Sequence, residues 1–270
     1  MAPDLSFGPQ GDQWYYTRDT KTYDLTRGNG QGSEKKLTMA TTQSPPDTSI
    51  TIDPALSALV VVDMQNYFLD ARCRDYPAGL ATVEPILGVI EKCREVGVQV
   101  RSLAQLGPPR DRSARPPGQR AAQLLADPDR PVAPPPPARP RRRPGRRPGR
   151  TLMAGEWNAA IYPPLAAAVR PDDAQCAKDR MSGLWCESQP LWRHLEDANT
   201  RTLLFAGVNT DQCVLGTLTN AYNAGWDCVM IEDCCATTTA NAQGVCLWNV
   251  ANSYGFVVNS KSLAEASLAR

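Results

Sequence analysis

The sequence predicts an α/β protein with a parallel sheet covered by helices on both faces, and three stretches carry that prediction. Residues 202–233 read as strand, tight turn, helix and strand. Residues 57–63 (SALVVVD) hold five consecutive apolar residues, three of them valine, and end on a carboxylate. Residues 255–258 add a last strand after a helical stretch. Apolar runs without alternation are typical of strands buried on both faces, and strands joined by helices pair in parallel.

Taken in order, residues 1–50 are polar, with Gly, Thr, Ser and Pro dispersed and Trp14, Tyr15 and Tyr16 adjacent. They read as an extended arm without a core of its own. The aromatic triplet either pins the arm to the body or a neighbouring subunit, or makes only a local contact in a tail. The first residues lack both a basic stretch and an apolar core, so no secretory signal is expected. No apolar run approaches the roughly 20 residues of a membrane span. Nine cysteines, an odd number without C-x-x-C pairs, argue against a disulfide framework and a zinc ribbon. A cytoplasmic protein with no membrane partner is expected.

The body spans 51–258. Asp63 closes the first strand and projects at the carboxyl edge of the sheet, where ligands bind; an N-cap or loop-stabilising role is the alternative. Gln65 and Phe68 follow in the loop. Residues 82–96 form a helix, with Val83, Ile86, Leu87, Ile90 and Val96 near one face and Gly97 as its stop. A second strand starts at Val98 and is lost after Val100.

From 101 to 150 the chain changes character: 13 Arg, no Lys and three acids give +10, while the rest of the chain carries −9. Between Arg130 and Arg150, 16 of 21 residues are Arg or Pro. Proline removes donors and fixes φ, so neither helix nor central strand is expected there. Three readings stand: a disordered basic loop touching a polyanion, a polyproline-type docking segment, or GC-rich DNA translated out of frame or through a retained intron. Nucleic acid is not an expected partner outside the first of these.

Beyond the insert, residues 151–161 form a turn into a short helix. Residues 174–178 form a strand ending in Lys178, followed by Arg180, Ser182, Gly183 and Trp185 in a loop. A helix begins at Pro190 and carries the only histidine, His194, read as a surface or packing residue. The strand at 203–206 is broken by Gly207, and Asn209 and Thr210 offer N-caps. Val214, Leu218, Ala221 and Tyr222 give the following helix, which Gly225 closes. A strand at 228–231, a helix at 242–254, the strand at 255–258 and a tail at 259–270 complete the chain. The adjacent Cys234 and Cys235 read as packing residues.

Cys213 falls in the first turn of a helix just past a buried strand. Unpaired N–H groups and the positive end of the helix favour a thiolate there; a small buried hydrophobe is the alternative. A single histidine cannot build a His-containing metal cluster, and a Cys–His pair would need His194. A base for Cys213 must be sought elsewhere. Asp63 could take the thiol proton and Lys178 could stabilise the anion, although the two could equally be a plain ion pair.

Asp63 in VVVDMQNYF, Lys178 in CAKDRMSGLW and Cys213 in GVNTDQCVLGT, in that order, resemble the triad of the isochorismatase-like cysteine hydrolases. That superfamily includes nicotinamidases and N-carbamoylsarcosine amidohydrolase, and the resemblance covers about residues 50–100 and 151–258. It implies a Rossmann-like, three-layer αβα fold and a homo-oligomer. It also implies that Cys213 attacks a carbonyl carbon to give an acyl-enzyme, that Asp63 serves as base and acid, and that Lys178 holds both anions. A cis peptide at Val208–Asn209 would turn the N–H groups of Asn209 and Cys213 toward the substrate oxygen. Gln65, Phe68 and Trp185 would bind the substrate, the two aromatics lining an apolar wall.

Nicotinamidases carry a D-x-H metal site, and with His194 the only histidine this chain has no counterpart, so nicotinamide is not the expected substrate; no metal and no cofactor are expected. Isochorismatases that cleave a vinyl ether do not keep the nucleophilic cysteine. Cys213 therefore points to an amide or ureide of a small molecule. Other readings are an inactive family member serving as a scaffold, a hydrolase of another small metabolite, and a polyanion binder acting through the insert. The insert takes the place of a loop from which the family draws pocket residues.

Overall fold

The computed structural model describes residues 4–10, 12–27, 34–43, 47–106 and 151–269, and among them it holds two six-stranded sheets. The residues read as an arm supply most of the first sheet: β1 Leu5–Phe7, β2 Trp14–Thr17, β3 Thr22–Asp24, β4 Lys36–Ala40 and β5 Ser49–Ile52. The arm has a core after all. Residues alternate along β4 and β5, so that Leu37, Met39, Ile50 and Ile52 are buried together with Leu25. The triplet aromatic Trp14 meets Tyr23, which meets Phe256 of the main body at 5.2 Å between ring centroids. Arg27 fastens the same segment by donating to Asp227 at 2.6 Å.

The second sheet is parallel throughout. Its strands are β6 Ser57–Val62, β7 Gln99–Gln105, β8 Ala174–Lys178, β9 Thr202–Val208, β10 Asp227–Ala236 and β11 Phe256–Val258. They lie in the order β11-β10-β9-β6-β7-β8. The helices are α1 Asn66–Leu69, α2 Pro77–Ala81, α3 Val83–Val96, α4 Pro163–Ala168, α5 Pro190–Asp197, α6 Leu215–Asn223, α7 Ala242–Asn249 and α8 Ser260–Glu265.

Alternate residues of one strand feed two cores, which makes three layers. Leu59 and Val61 of β6 pack with α3, α4 and α8, while Ala58, Val60 and Val62 pack with α5 and α6. The N-terminal sheet joins the first of these cores through Leu37, Ile50 and Ile52.

Two further boundaries differ from the sequence reading. β7 does not stop at Val100 but runs to Gln105, because its partners β6 and β8 flank it along that length. The basic composition from Arg101 onward concealed this. The remainder of the insert, including Arg130 to Arg150, lies outside the described residues. The tail at the chain's end is also structured: Asn259 caps α8, Leu263 is buried, and β12 Ser267–Ala269 pairs with β4. No helix among the described residues is long and apolar enough to cross a membrane.

Strand order fixes where a site can form. The chain lays down β6, then β7 and β8 outward on one side, and then returns to place β9, β10 and β11 on the other. The connections that leave the carboxyl ends of the paired strands β6 and β9 therefore run to opposite sides, which leaves a crevice at the switch point. Gly207 makes the close approach there: its φ is +122°, and a Cβ would lie 2.0 Å from the Val62 carbonyl oxygen. Gly207→Ala is expected to cost about 1–3 kcal/mol through forced separation of β6 and β9. A urea-unfolding midpoint equal to that of the native chain would show that the strands can part without penalty.

Candidate active site

Three chain segments converge at that crevice. Asp63 follows β6 directly and sits at φ +53°, held by its N–H donating to the Leu103 carbonyl at 2.8 Å. Such a backbone conformation is uncommon outside glycine and turns the side chain away from the strand's continuation. Lys178 is the last residue of β8, two strands away. Its Nζ passes over the end of β7 to reach the Asp63 carboxylate at 2.9 Å, with both side chains fully buried. Cys213 lies in a single π-helical turn, Thr210–Val214, that leads from β9 into α6. Its thiol lies beside both Asp63 and Lys178 and feels the charge of each.

The Lys178 ammonium donates to the Gln105 Oε1 at 2.6 Å and to the Arg180 carbonyl at 3.1 Å, and its contact with Asp63 is an ion pair rather than a hydrogen bond. Gln105 was invisible to sequence reasoning because it falls within the stretch set aside for its composition. The one available signal was its place at the carboxyl end of a strand beside β6.

Burial raises the Asp63 carboxyl above its ordinary range, and Lys178 opposes the rise. Burial, followed by the Asp63 charge, pushes the Cys213 thiol up to about 12. One positive charge in a dry site balances one negative charge and not two. Asp63 and Cys213 therefore compete for a proton beside a single ammonium. The helix terminus, expected to favour the thiolate, is outweighed by burial and by Asp63. The thiol thus stands next to a carboxyl group whose proton affinity burial has increased.

The Val208–Asn209 peptide bond is cis. The Asn209 carbonyl accepts from the N–H groups of Gln212 and Val214, which anchors the turn around Cys213. Thr217 Oγ1 donates to the Cys213 carbonyl at 2.7 Å and accepts the Gly183 N–H at 3.2 Å. The loop after β8 is thereby fastened to the Cys213 turn. Trp185 on this loop is 38% exposed, with the Arg180 guanidinium 4.0 Å above its ring.

Gln65 and Phe68 are placed differently from what substrate contact requires. Gln65 Oε1 accepts the Gln105 N–H, and Nε2 donates to the Gln105 and Ala159 carbonyls at 3.0 and 2.7 Å. No amide hydrogen is left for a substrate. Phe68 is packed in the core, edge-on to Tyr67. His194 is exposed on α5. A cavity lined by Val61, Ile90, Leu103 and Leu165 touches none of Asp63, Lys178 or Cys213. Among the described residues no three His, Cys, Asp or Glu side chains gather as a metal would require.

Comparison with known proteins bears on the family and the fold. A model of the isochorismatase domain matches residues 57–262. The ureidoacrylate amidohydrolase RutB of Cronobacter sakazakii is 27% identical over 235 residues, which cover 81% of this chain and 91% of the relative. A cysteine hydrolase from Pseudomonas syringae pv. phaseolicola superposes with a TM-score of 0.60 at 20% identity, over 79% of this chain and 92% of that one. For N-carbamoylsarcosine amidase of Thermoplasma acidophilum the TM-score is 0.56 at 23% identity, over 76% and 96%. At such identities the two structures speak for the fold. With three quarters of its length matched by one domain model and the parallel sheet in place, the chain belongs to the isochorismatase family of hydrolases.

Proposed function

We propose that the protein hydrolyses a C–N bond in a small amide or ureide through a covalent intermediate on Cys213. The observation that carries this reading is the dry Asp63–Lys178 pair at 2.9 Å with the Cys213 thiol beside it. The relative named for ureidoacrylate supports a ureide.

Cys213 Sγ attacks the carbonyl carbon, a C–S bond forms, and the thiol proton passes to Asp63. The oxygen that gains charge is received by the N–H groups of Asn209 and Cys213, each such donor being worth about 3 kcal/mol. Collapse breaks the C–N bond, and the nitrogen leaves with the proton from Asp63. Water then attacks the thioester as Asp63 takes its proton. The C–S bond breaks, and Asp63 returns a proton to sulfur. The net change is addition of one water across the C–N bond. Lys178 keeps its charge throughout, so each step moves one proton within a site of constant net charge. Trp185 provides an exposed aromatic face on the loop fastened to Cys213.

A panel of small amides and ureides, quenched in acid and analysed by peptide mass spectrometry, tests the reading. An acyl mass confined to the Cys213 peptide, together with release of the nitrogen product, is expected. Turnover without an adduct on Cys213, or adducts spread evenly over the other cysteines, would sink it.

A further inference from the structure

Asp63 and Lys178 leave the sheet two strands apart, with β7 between them. The ammonium therefore has to cross above the end of β7, and the residue there is Gln105, paired with Lys178 in the β7–β8 register. Its Oε1 accepts from Lys178 Nζ at 2.6 Å. Gln105 is itself gripped at two points. Gln65 Oε1 takes its N–H at 3.0 Å and Gln65 Nε2 donates to its carbonyl at 3.0 Å, while the same Nε2 reaches the Ala159 carbonyl. A side-chain amide thus holds backbone at the rim where β7 ends, and the held residue aims its own amide oxygen at the ammonium.

We propose that Gln105, clamped by Gln65, is the positioning residue that holds the Lys178 ammonium against Asp63 during hydrolysis. The inference rests on the hydrolase reading above. Without Gln105 one hydrogen of a fully buried ammonium loses its acceptor and the Nζ is free to swing away from Asp63. Gln65 then acts one step further out, through Gln105 rather than on the substrate. This assigns a role to the glutamine that follows Asp63 by two residues, and it makes the last residue of β7 part of the site.

The test compares native protein with Gln105→Leu and Gln105→Glu. Leu removes the acceptor at similar size, and kcat is expected to fall about 10–100-fold with KM little changed. Glu keeps an acceptor but adds negative charge beside Asp63 and Cys213, so it should recover part of kcat. It should also move the acid limb of kcat/KM to higher pH, since added negative charge raises the proton affinity of Asp63. Alkylation of Cys213 by iodoacetamide gives a readout that needs no substrate: its pH profile should move upward in Gln105→Glu. Equal losses in both variants, with both profiles unmoved, would reduce Gln105 to a structural residue and overturn the proposal. Failure of the hydrolase reading shows separately, as absence of an acyl adduct in the native protein.

Discussion

Asp63→Asn lowers kcat about 10²–10⁴-fold, the range expected when a general base is lost, and at the same time makes Cys213 more acidic. The two effects run in opposite directions for one reason. In the native protein burial and the Asp63 charge push the Cys213 thiol up to about 12, and Lys178 alone pulls it down. An amide at position 63 removes the opposing charge and leaves Lys178 facing sulfur, so thiolate and ammonium become the balanced pair. Iodoacetamide alkylation followed across pH reads this directly: the native Cys213 should react mainly at high pH, and the variant should begin to react at lower pH. The variant would then hold a more nucleophilic sulfur and still fail to turn over, because nothing carries the proton to the leaving nitrogen. If the alkylation profiles coincide, Asp63 is not the group that shares the proton with Cys213.

Lys178→Met should be the most destabilising single change in the site, at about 3–5 kcal/mol near neutral pH, since it leaves a buried carboxylate without a partner. The loss should depend on pH, and its sign follows from the direction of the Asp63 shift. Burial already raises that carboxyl above its unfolded value of 3.8, and Lys178 is the main influence lowering it. In the variant it therefore rises further. Below the unfolded value the carboxyl is protonated in both states and the penalty vanishes. As pH climbs from there to the raised folded value, the unfolded chain sheds a proton that the native chain keeps, and stability falls. Above the folded value the penalty is constant. Urea midpoints of variant and native protein at several pH values measure this difference. A loss independent of pH would assign the role of Lys178 to packing. The double variant Asp63→Asn/Lys178→Met should recover much of the stability, with a coupling energy that isolates the ion pair.

Some of the architecture was legible because it is written locally. The strands at Ser57–Val62 and Thr202–Val208 are short, wholly buried runs followed at one sheet edge by Asp63 and Asn209, and the strand at Ala174–Lys178 ends there in a lysine. Gly97 and Gly225 stop their helices at positive φ, as a C′ residue should. The N-terminal sheet was not legible. Its strands are three to five residues long, and Leu37, Met39, Ile50 and Ile52 alternate with polar residues over spans too short to separate from loop. Their burial depends on β12 arriving from the other end of the chain and on Arg27 meeting Asp227. Gln65 misled for a related reason. The family resemblance implied substrate contact for it, and only the pairing of β6 with β7 turned its amide onto Gln105.

What the sequence determined by itself is the kind and order of the candidate groups: a carboxylate and an ammonium at strand ends and a thiol in the turn after a strand, all in one α/β body. Strand ends are set by local apolar runs, and these survive any change elsewhere. What the tertiary structure decided is the direction in which burial and charge push the carboxyl and the thiol, and the partners around them. A charge's proton affinity depends on its distance to other charges and on how little water reaches it. Here strand order sets both, by bringing β6 and β9 together at the switch point and sending Lys178 across β7 to Asp63.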